Sequence, residues 1–190
     1  MKKLAHSIAY GLLLLLVCGF FGLCKKDERE DNQRKTLREY ITGTLKVPVD
    51  EQDGVFFVLL DTSPNPVLRV QANDVVEFYY TAQTLSGTRY TDSLQWTLSG
   101  AVFATNVDSL AAQYGLPLTP VAPTGAVRVG AGELIAGLDR GLQRMVLGDH
   151  ALLLFPFTLG YGEEFVGLVK PESALIFEVR VTKVNGISFP

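Results

Sequence analysis

The chain has 190 residues, with 17 basic and 20 acidic side chains and a formal charge of -3. That balance excludes a broad attraction to a phosphate backbone, and no basic patch interleaved with aromatics occurs, so nucleic acid is not an expected partner. Its two cysteines, Cys18 and Cys24, both stand near the N-terminus, which excludes a disulfide-rich scaffold for the folded part.

Lys2 and Lys3 open the chain, an unbroken apolar run follows from Leu12 to Val17, and apolar or small residues continue to Leu23. The next residues, Lys25-Lys26-Asp27-Glu28-Arg29-Glu30-Asp31, are all charged. This is the pattern of an export signal over residues 1–23. A permanent membrane helix is the alternative, but Ile8 to Leu23 spans only 16 residues, short of the roughly 20 a spanning helix needs. Cys24 falls where a bacterial lipoprotein carries its modified cysteine, although Leu23 replaces the small residue usual before it; Cys18, after Val17, is the rival. Cys24-Lys25-Lys26-Asp27-Glu28 resembles the signal of surface-exported lipoproteins of the Bacteroidetes type. That resemblance implies a lipid anchor at Cys24 in the outer membrane, surface-exposed or else on its periplasmic face, and an envelope protein as a possible partner.

Residues 24–35 are expected to be a charged, solvated tether, and 36–53 an N-terminal helix and extension, with the short helix itself read from Asp31 to Tyr40. Leu37, Tyr40 and Ile41 share one side of that helix, and Gly43 is expected to end it. Asp53-Gly54 marks a turn before a strand at Val55 to Leu60, and Val75 to Thr84 reads as a second strand rich in β-branched and aromatic residues. Ser86-Gly87 is a tight turn, from which Thr88 to Thr91 begins the returning partner. From Asp92 to Gly125 the chain is irregular, with Trp96, a possible helix from Val107 to Tyr114, and Pro117, Pro120 and Pro123 as breakers. Loops of this length are often functional. Glu133 to Val146 fits one amphipathic helix, with Leu134, Leu138, Leu142 and Met145 facing a sheet and Gly148-Asp149 stopping it. His150 to Phe157 is a strongly apolar strand, and Ser173 to Val184 alternates at Leu175, Phe177, Val179 and Val181. The elements sum to an α+β fold, an antiparallel sheet of about five strands on one helix.

Ordinary catalytic machinery is not in evidence. His150 is the one histidine beyond the leader, so a zinc site or a Cys/His pair is unavailable. Glu163 and Glu164, beside glycines, read as a solvated loop, and Gly125, Gly130 and Gly132 lack the order of a phosphate-cradling loop. No cofactor is expected.

In order along the chain, Val75-Val76-Glu77-Phe78-Tyr79-Tyr80-Thr81-Ala82, Gly87-Thr88-Arg89-Tyr90, Val129-Gly130-Ala131-Gly132-Glu133-Leu134-Ile135-Ala136-Gly137-Leu138, Gly141 to Asp149, Leu159-Gly160-Tyr161-Gly162 and Ala174-Leu175-Ile176-Phe177-Glu178-Val179 resemble the FKBP-type peptidyl-prolyl isomerases. The likeness covers residues 54–184 apart from an insertion at 92–125, leaving 185–190 as a tail. It implies a curved antiparallel sheet around a short helix, prolyl isomerase activity, and proline-containing polypeptides as partners.

Pocket residues follow where they match. Tyr80 stands at the family's first pocket tyrosine, and Tyr90 replaces a phenylalanine on the facing wall. Leu134 and Ile135 match the pair whose backbone touches the bound peptide, Tyr161 the tyrosine that hydrogen-bonds a substrate carbonyl, and Phe177 the aromatic on the last strand. Leu138 occupies the floor, where tryptophan is usual. The pocket aspartate falls at Thr91, and Asp92 would take its role through a one-residue bulge, whereas a slip would turn it to the other face. Val169 is expected near the rim, with Phe165 and Val166 at the lip. The insertion's apolar groups, among them Val102 and Phe103, either form a satellite cluster or wall the pocket.

Overall fold

The computed structural model describes residues 28–63, 68–85 and 102–190. The leader, Cys24, Tyr90, Asp92 and Trp96 lie outside the described residues, as does the expected turn at Ser86-Gly87.

Four strands with strong sequence signals build the sheet: Val55–Asp61 (β2), Val75–Leu85 (β3), His150–Phe155 (β6) and Ala174–Val184 (β7). Four short ones complete it: Glu51–Gln52 (β1), Val102–Thr105 (β4), Val127–Arg128 (β5) and Ile187–Ser188 (β8). The order is β1-β2-β6-β7-β3-β4, with β5 also pairing β3 and β8 pairing β7, and every pairing is antiparallel. Among the described residues, eight strands therefore stand where about five were expected. Of the four short ones, three are two residues long, too short to show a period of two, and β4 is donated by the insertion.

The two faces of the sheet bury different cores, and the alternation is strict. Val55 on β2, Ala151, Leu153 and Phe155 on β6, and Leu175, Phe177, Val179 and Val181 on β7 join the main core. Phe56, Val58, Leu152, Leu154, Ala174 and Ile176, their neighbours in sequence, point the other way into a second core. This explains the unbroken apolar run of β6, a strand buried on both faces.

The second core is closed by a helix at residues 28–40 (α1), which passes into a π-helical turn at Ile41–Leu45. Leu37, Tyr40 and Ile41 are at most 1% exposed against that face. The solvated tether expected over residues 24–35 is thus helical from residue 28, at the start of the described segment. The arginines of this helix are partnered: Arg34 and Arg38 both pair with Glu51, and Arg29 with Glu163 and Glu172. Nor does Gly43 end the helical run. Lys46, in the left-handed region (φ 56°), is the C-cap, its N–H donating to the Ile41 carbonyl.

On the concave face lies Ala136–Leu142 (α3), half the length expected from Glu133 to Val146. Two side chains shorten it at the front. Glu133 accepts from the Arg128 N–H at 2.9 Å and Asp139 from the Gly130 N–H at 2.7 Å, holding the preceding loop non-helical. At the back, the Arg144 and Met145 amides bond three residues back, to Gly141 and Leu142, a tightening typical of helix ends. Gly148-Asp149 is therefore not the helix stop. The helix sits flush on the sheet because Gly137 and Gly141 face it: a Cβ at either would collide with the Phe155 ring or with Leu153. The insertion contributes Asp108–Tyr114 (α2), capped by Gly115 in the left-handed region. No described helix is long and apolar enough to cross a membrane.

Candidate functional site

A cavity of about 420 Å³ opens between the start of α3 and the concave face of the sheet. Its lining is mostly apolar and aromatic, from five separate elements: Tyr80 on β3, Phe103 on β4, Ile135 and Leu138 at α3, Phe177 on β7 and Tyr161 in the loop after β6. Period-two alternation aims Tyr80 and Phe177 inward from adjacent strands, where the register pairs Tyr80 with Val179 and Ala82 with Phe177.

Phe177 is the hub of the rings. It stacks on Tyr80, with centroids 5.9 Å apart, and on Phe155 at 5.7 Å, while Phe103 meets it edge-on at 6.2 Å. Phe103 also meets Tyr161 edge-on at 6.2 Å. Each such pair stabilises by about 0.5–1.5 kcal/mol beyond its burial, enough to hold the walls without a ligand. Leu138, 4% exposed, also lines the cavity.

Polar groups reach this space from Thr119 and Glu133 and from two tyrosine hydroxyls. Tyr80 donates to the Thr119 carbonyl at 3.0 Å, tying β3 to the insertion. Burial, with a contribution from the neighbouring Tyr161, pushes the Tyr80 hydroxyl up to about 12. Burial also raises Tyr161 above the ordinary tyrosine value. Both are therefore neutral O–H groups at physiological pH. Among the described residues no hydrogen bond engages the Tyr161 hydroxyl, which leaves it available to a carbonyl of a bound molecule.

Of the residues singled out in the sequence, the fold brings together Tyr80, Leu134, Ile135, Leu138, Tyr161 and Phe177. Tyr90 and Asp92 lie outside the described residues. Val169 is corrected: it is 1% exposed and belongs to the main core, not the rim. Its N–H and carbonyl both pair with Val166, closing a tight hairpin whose tip, Val166-Gly167-Leu168, is the actual lip. Phe165 stands beside it, largely exposed. Sequence reasoning missed Leu168, Thr119, Pro120 and Val121 as lining. Between the two readings of the insertion, Phe103 and Ala104 on β4 and the Thr119-Pro120-Val121 segment stand on the cavity wall.

A larger cavity of about 550 Å³ lies at the other end of α3, lined by Arg69, Arg140 and Arg144 with Asp50 and Asp53. Its walls are charged and its own carboxylates offset the arginines, so it is unsuited to an apolar ring. His150 pairs with Glu178 at 2.7 Å and lines neither cavity. No group of three or more potential metal ligands occurs among the described residues.

Fold and site together define a class: an antiparallel α+β domain with a preformed aromatic cleft between its sheet and a short helix, suited to one apolar ring and a few carbonyls. Residues 122–182 match the family model described as FKBP-type peptidyl-prolyl cis-trans isomerase. It is 42% identical over 58 residues to FK506-binding protein 1B of Aspergillus fumigatus, covering 30% of this chain and 48% of that one. FK506-binding protein 1 of Saccharomyces cerevisiae is 26% identical over 151 residues, 78% of this chain and 100% of that one. The chain spans 32% of the length of FK506-binding protein 2 of Gibberella zeae, at 36% identity. Among solved structures, FkpA from Escherichia coli superposes with a TM-score of 0.55 at 20% identity, over 84% of this chain and 61% of that one. A peptidyl-prolyl isomerase from Pseudomonas syringae gives 0.53 at 23% identity, over 82% and 95%. At such identities these two bear on the fold alone.

Proposed function

We propose that this protein is a peptidyl-prolyl cis–trans isomerase assisting the folding of exported polypeptides. The observation that carries the reading is the cleft in which Phe177 stacks on Tyr80 beside Leu138, and in which the Tyr161 hydroxyl has no hydrogen-bond partner among the described residues. Rotation about an X–Pro bond is slow because amide resonance must be lost, at a barrier of about 18–20 kcal/mol. The twisted imide is less polar than either planar isomer. A water-poor aromatic cleft that takes the proline ring therefore binds the twisted form better, and that differential lowers the barrier. Tyr161 donates to a flanking carbonyl while the bond turns, and Leu134 and Ile135 present backbone at the helix start. Tyr90 and Asp92 belong to the proposal as a facing wall and a polar rim. No nucleophile or cofactor enters.

The test is an isomerisation assay on an X–Pro peptide with the full chain purified in detergent. Acceleration above background is expected at micromolar protein, with Tyr161→Phe lowering kcat/KM about tenfold, the value of one lost hydrogen bond of about 1.4 kcal/mol. The smaller Leu138 floor favours a second reading, a polypeptide-binding module with little turnover. Peptide binding without acceleration would establish that reading and end the first.

Export and anchoring are part of the proposal. The leader at 1–23 and Cys24 before a charged run support a lipid-anchored protein of the outer envelope, with an envelope partner possible. Cys24→Ala should abolish uptake of labelled fatty acid. Retention of label in that variant but not in Cys18→Ala would move the anchor to Cys18.

A further inference from the structure

The loop from Phe157 to Glu172 carries Tyr161 and the lip, yet its only regular features are a 3₁₀ turn at Phe157–Leu159 and the bridge between Val166 and Val169. It is held from outside, by the first turns of α1. Gln33 bridges its two ends: the Gln33 Oε1 accepts from the Phe157 N–H at 2.9 Å, and its Nε2 donates to the Glu172 carbonyl. Arg29 lies four positions earlier, on the same face of the helix. Its guanidinium donates to the carboxylates of Glu172 and, at 2.7 Å, of Glu163, and lies 5.7 Å from the centre of the Phe157 ring. Two side chains thus touch both ends of the loop and its middle.

The restraint passes on to Tyr161 through Glu172. That residue sits in the left-handed region at φ 57°, rarely adopted by a residue with a Cβ. Arg29 holds its carboxylate, Gln33 its carbonyl, and its N–H donates at 2.9 Å to the carbonyl of Gly162, the neighbour of Tyr161. Docking of α1 does not need these contacts. Leu37, Tyr40 and Ile41 seat the helix in the second core, and Arg34 and Arg38 fasten it to Glu51.

We infer that Arg29 and Gln33 are positioning residues for the cavity: the start of α1 fixes the loop that presents Tyr161 and the Val166–Leu168 lip. Its consequence for catalysis rests on the isomerase reading; the restraint itself does not. Hydrogen exchange on the full chain in detergent reads the restraint without substrate. In the Arg29→Ala/Gln33→Ala variant, the amides of Phe157, Gly160 and Gly162 should exchange about tenfold faster. Arg38→Ala, which loosens the same helix at its other contact, should leave them unchanged. Reversing the charges, with Arg29→Glu, Glu163→Arg and Glu172→Arg together and Gln33 intact, should restore protection. With an X–Pro peptide the double alanine variant should lose about fivefold in kcat/KM, mainly through KM, since Tyr161 meets the substrate before the bond turns. Loop exchange within about twofold of the parent, or equal acceleration by Arg38→Ala, overturns the inference. A parent protein without isomerase activity overturns the proposed function and leaves the exchange result to decide this one.

Discussion

Tyr80 shows how one residue couples sheet, insertion and cavity. Its ring stacks on Phe177, its hydroxyl donates to the Thr119 carbonyl, and its own N–H donates to the Asn106 side chain at 2.7 Å. Because its ionisation is pushed up to about 12 from 10.0, chiefly by burial, its proton is held more tightly in the folded state. Between those values an unfolded Tyr80 has lost its proton and a folded one has kept it. The contribution is therefore complete below pH 10 and is lost as pH rises through the folded value. Tyr80→Phe should flatten this alkaline fall, while lowering stability at neutral pH by about 1 kcal/mol for the lost hydrogen bond. Tyr161 and Tyr40 are shifted the same way, so part of the slope should survive. Urea unfolding of parent and variant from pH 8 to 12 measures the difference. Parallel curves would mean that Tyr80 does not carry the shift.

At the scale of elements, what could be read in the sequence depended on whether a strand or helix buries one face or two. β3 alternates cleanly, as does β7 from Phe177 to Val181, and both stand where the pattern puts them. β6 does not alternate, because Leu152 and Leu154 need a cover of their own, which α1 provides. That need was visible in the run His150-Ala151-Leu152-Leu153-Leu154-Phe155, and Leu37, Tyr40 and Ile41 were expected on one side of a helix, but no local pattern joins the two, and the charges of residues 24–35 read as a solvated tether. Arg29, Arg34 and Arg38 prove to form the helix's outward ion pairs. α3 was overextended for the opposite reason. Its apolar spacing continues through Leu134 and Met145, both packed with the main core, but the backbone there belongs to turns fixed by Glu133, Asp139 and the chain reversal after Leu142. Burial pattern alone does not separate a helix from the turns at its ends. Tyr80 and Phe177 were legible because each sits on a strand whose register is fixed, whereas Tyr161, in a loop, was legible only through the family resemblance. Val169 was not: a hairpin of four residues inverts which side chain points in, and no periodicity announces it.

On the scale of the whole molecule, the insertion divides into a part welded to the domain and a part that stands outside it. β4 pairs with β3, Thr105 donates to the Tyr80 carbonyl at 2.8 Å, and the Asn106 amide donates to the Phe78 carbonyl at 2.8 Å. Beyond α2 the chain returns to the same place, where the Thr119 N–H donates to the Thr105 carbonyl at 2.8 Å. Everything between is a closed excursion whose ends already touch. Phe103 and the Thr119-Pro120-Val121 segment line the cavity, whereas no residue of α2 does. Its Ala111 is buried, but Tyr114 and Leu118 are largely exposed. Replacing residues 107–117 with a short Gly/Ser turn should therefore leave the domain folded, because closing a short loop between adjacent ends adds little entropy. Affinity for an X–Pro peptide should stay within about twofold of the parent, while Phe103→Ala, which removes the edge-on contacts to Tyr161 and Phe177, should weaken it about tenfold, the scale of one lost aromatic contact and its burial. Calorimetric titration of both variants with one peptide separates the roles. If the excised protein binds as weakly as Phe103→Ala, then α2 supports the wall from behind, and the insertion works as a single piece.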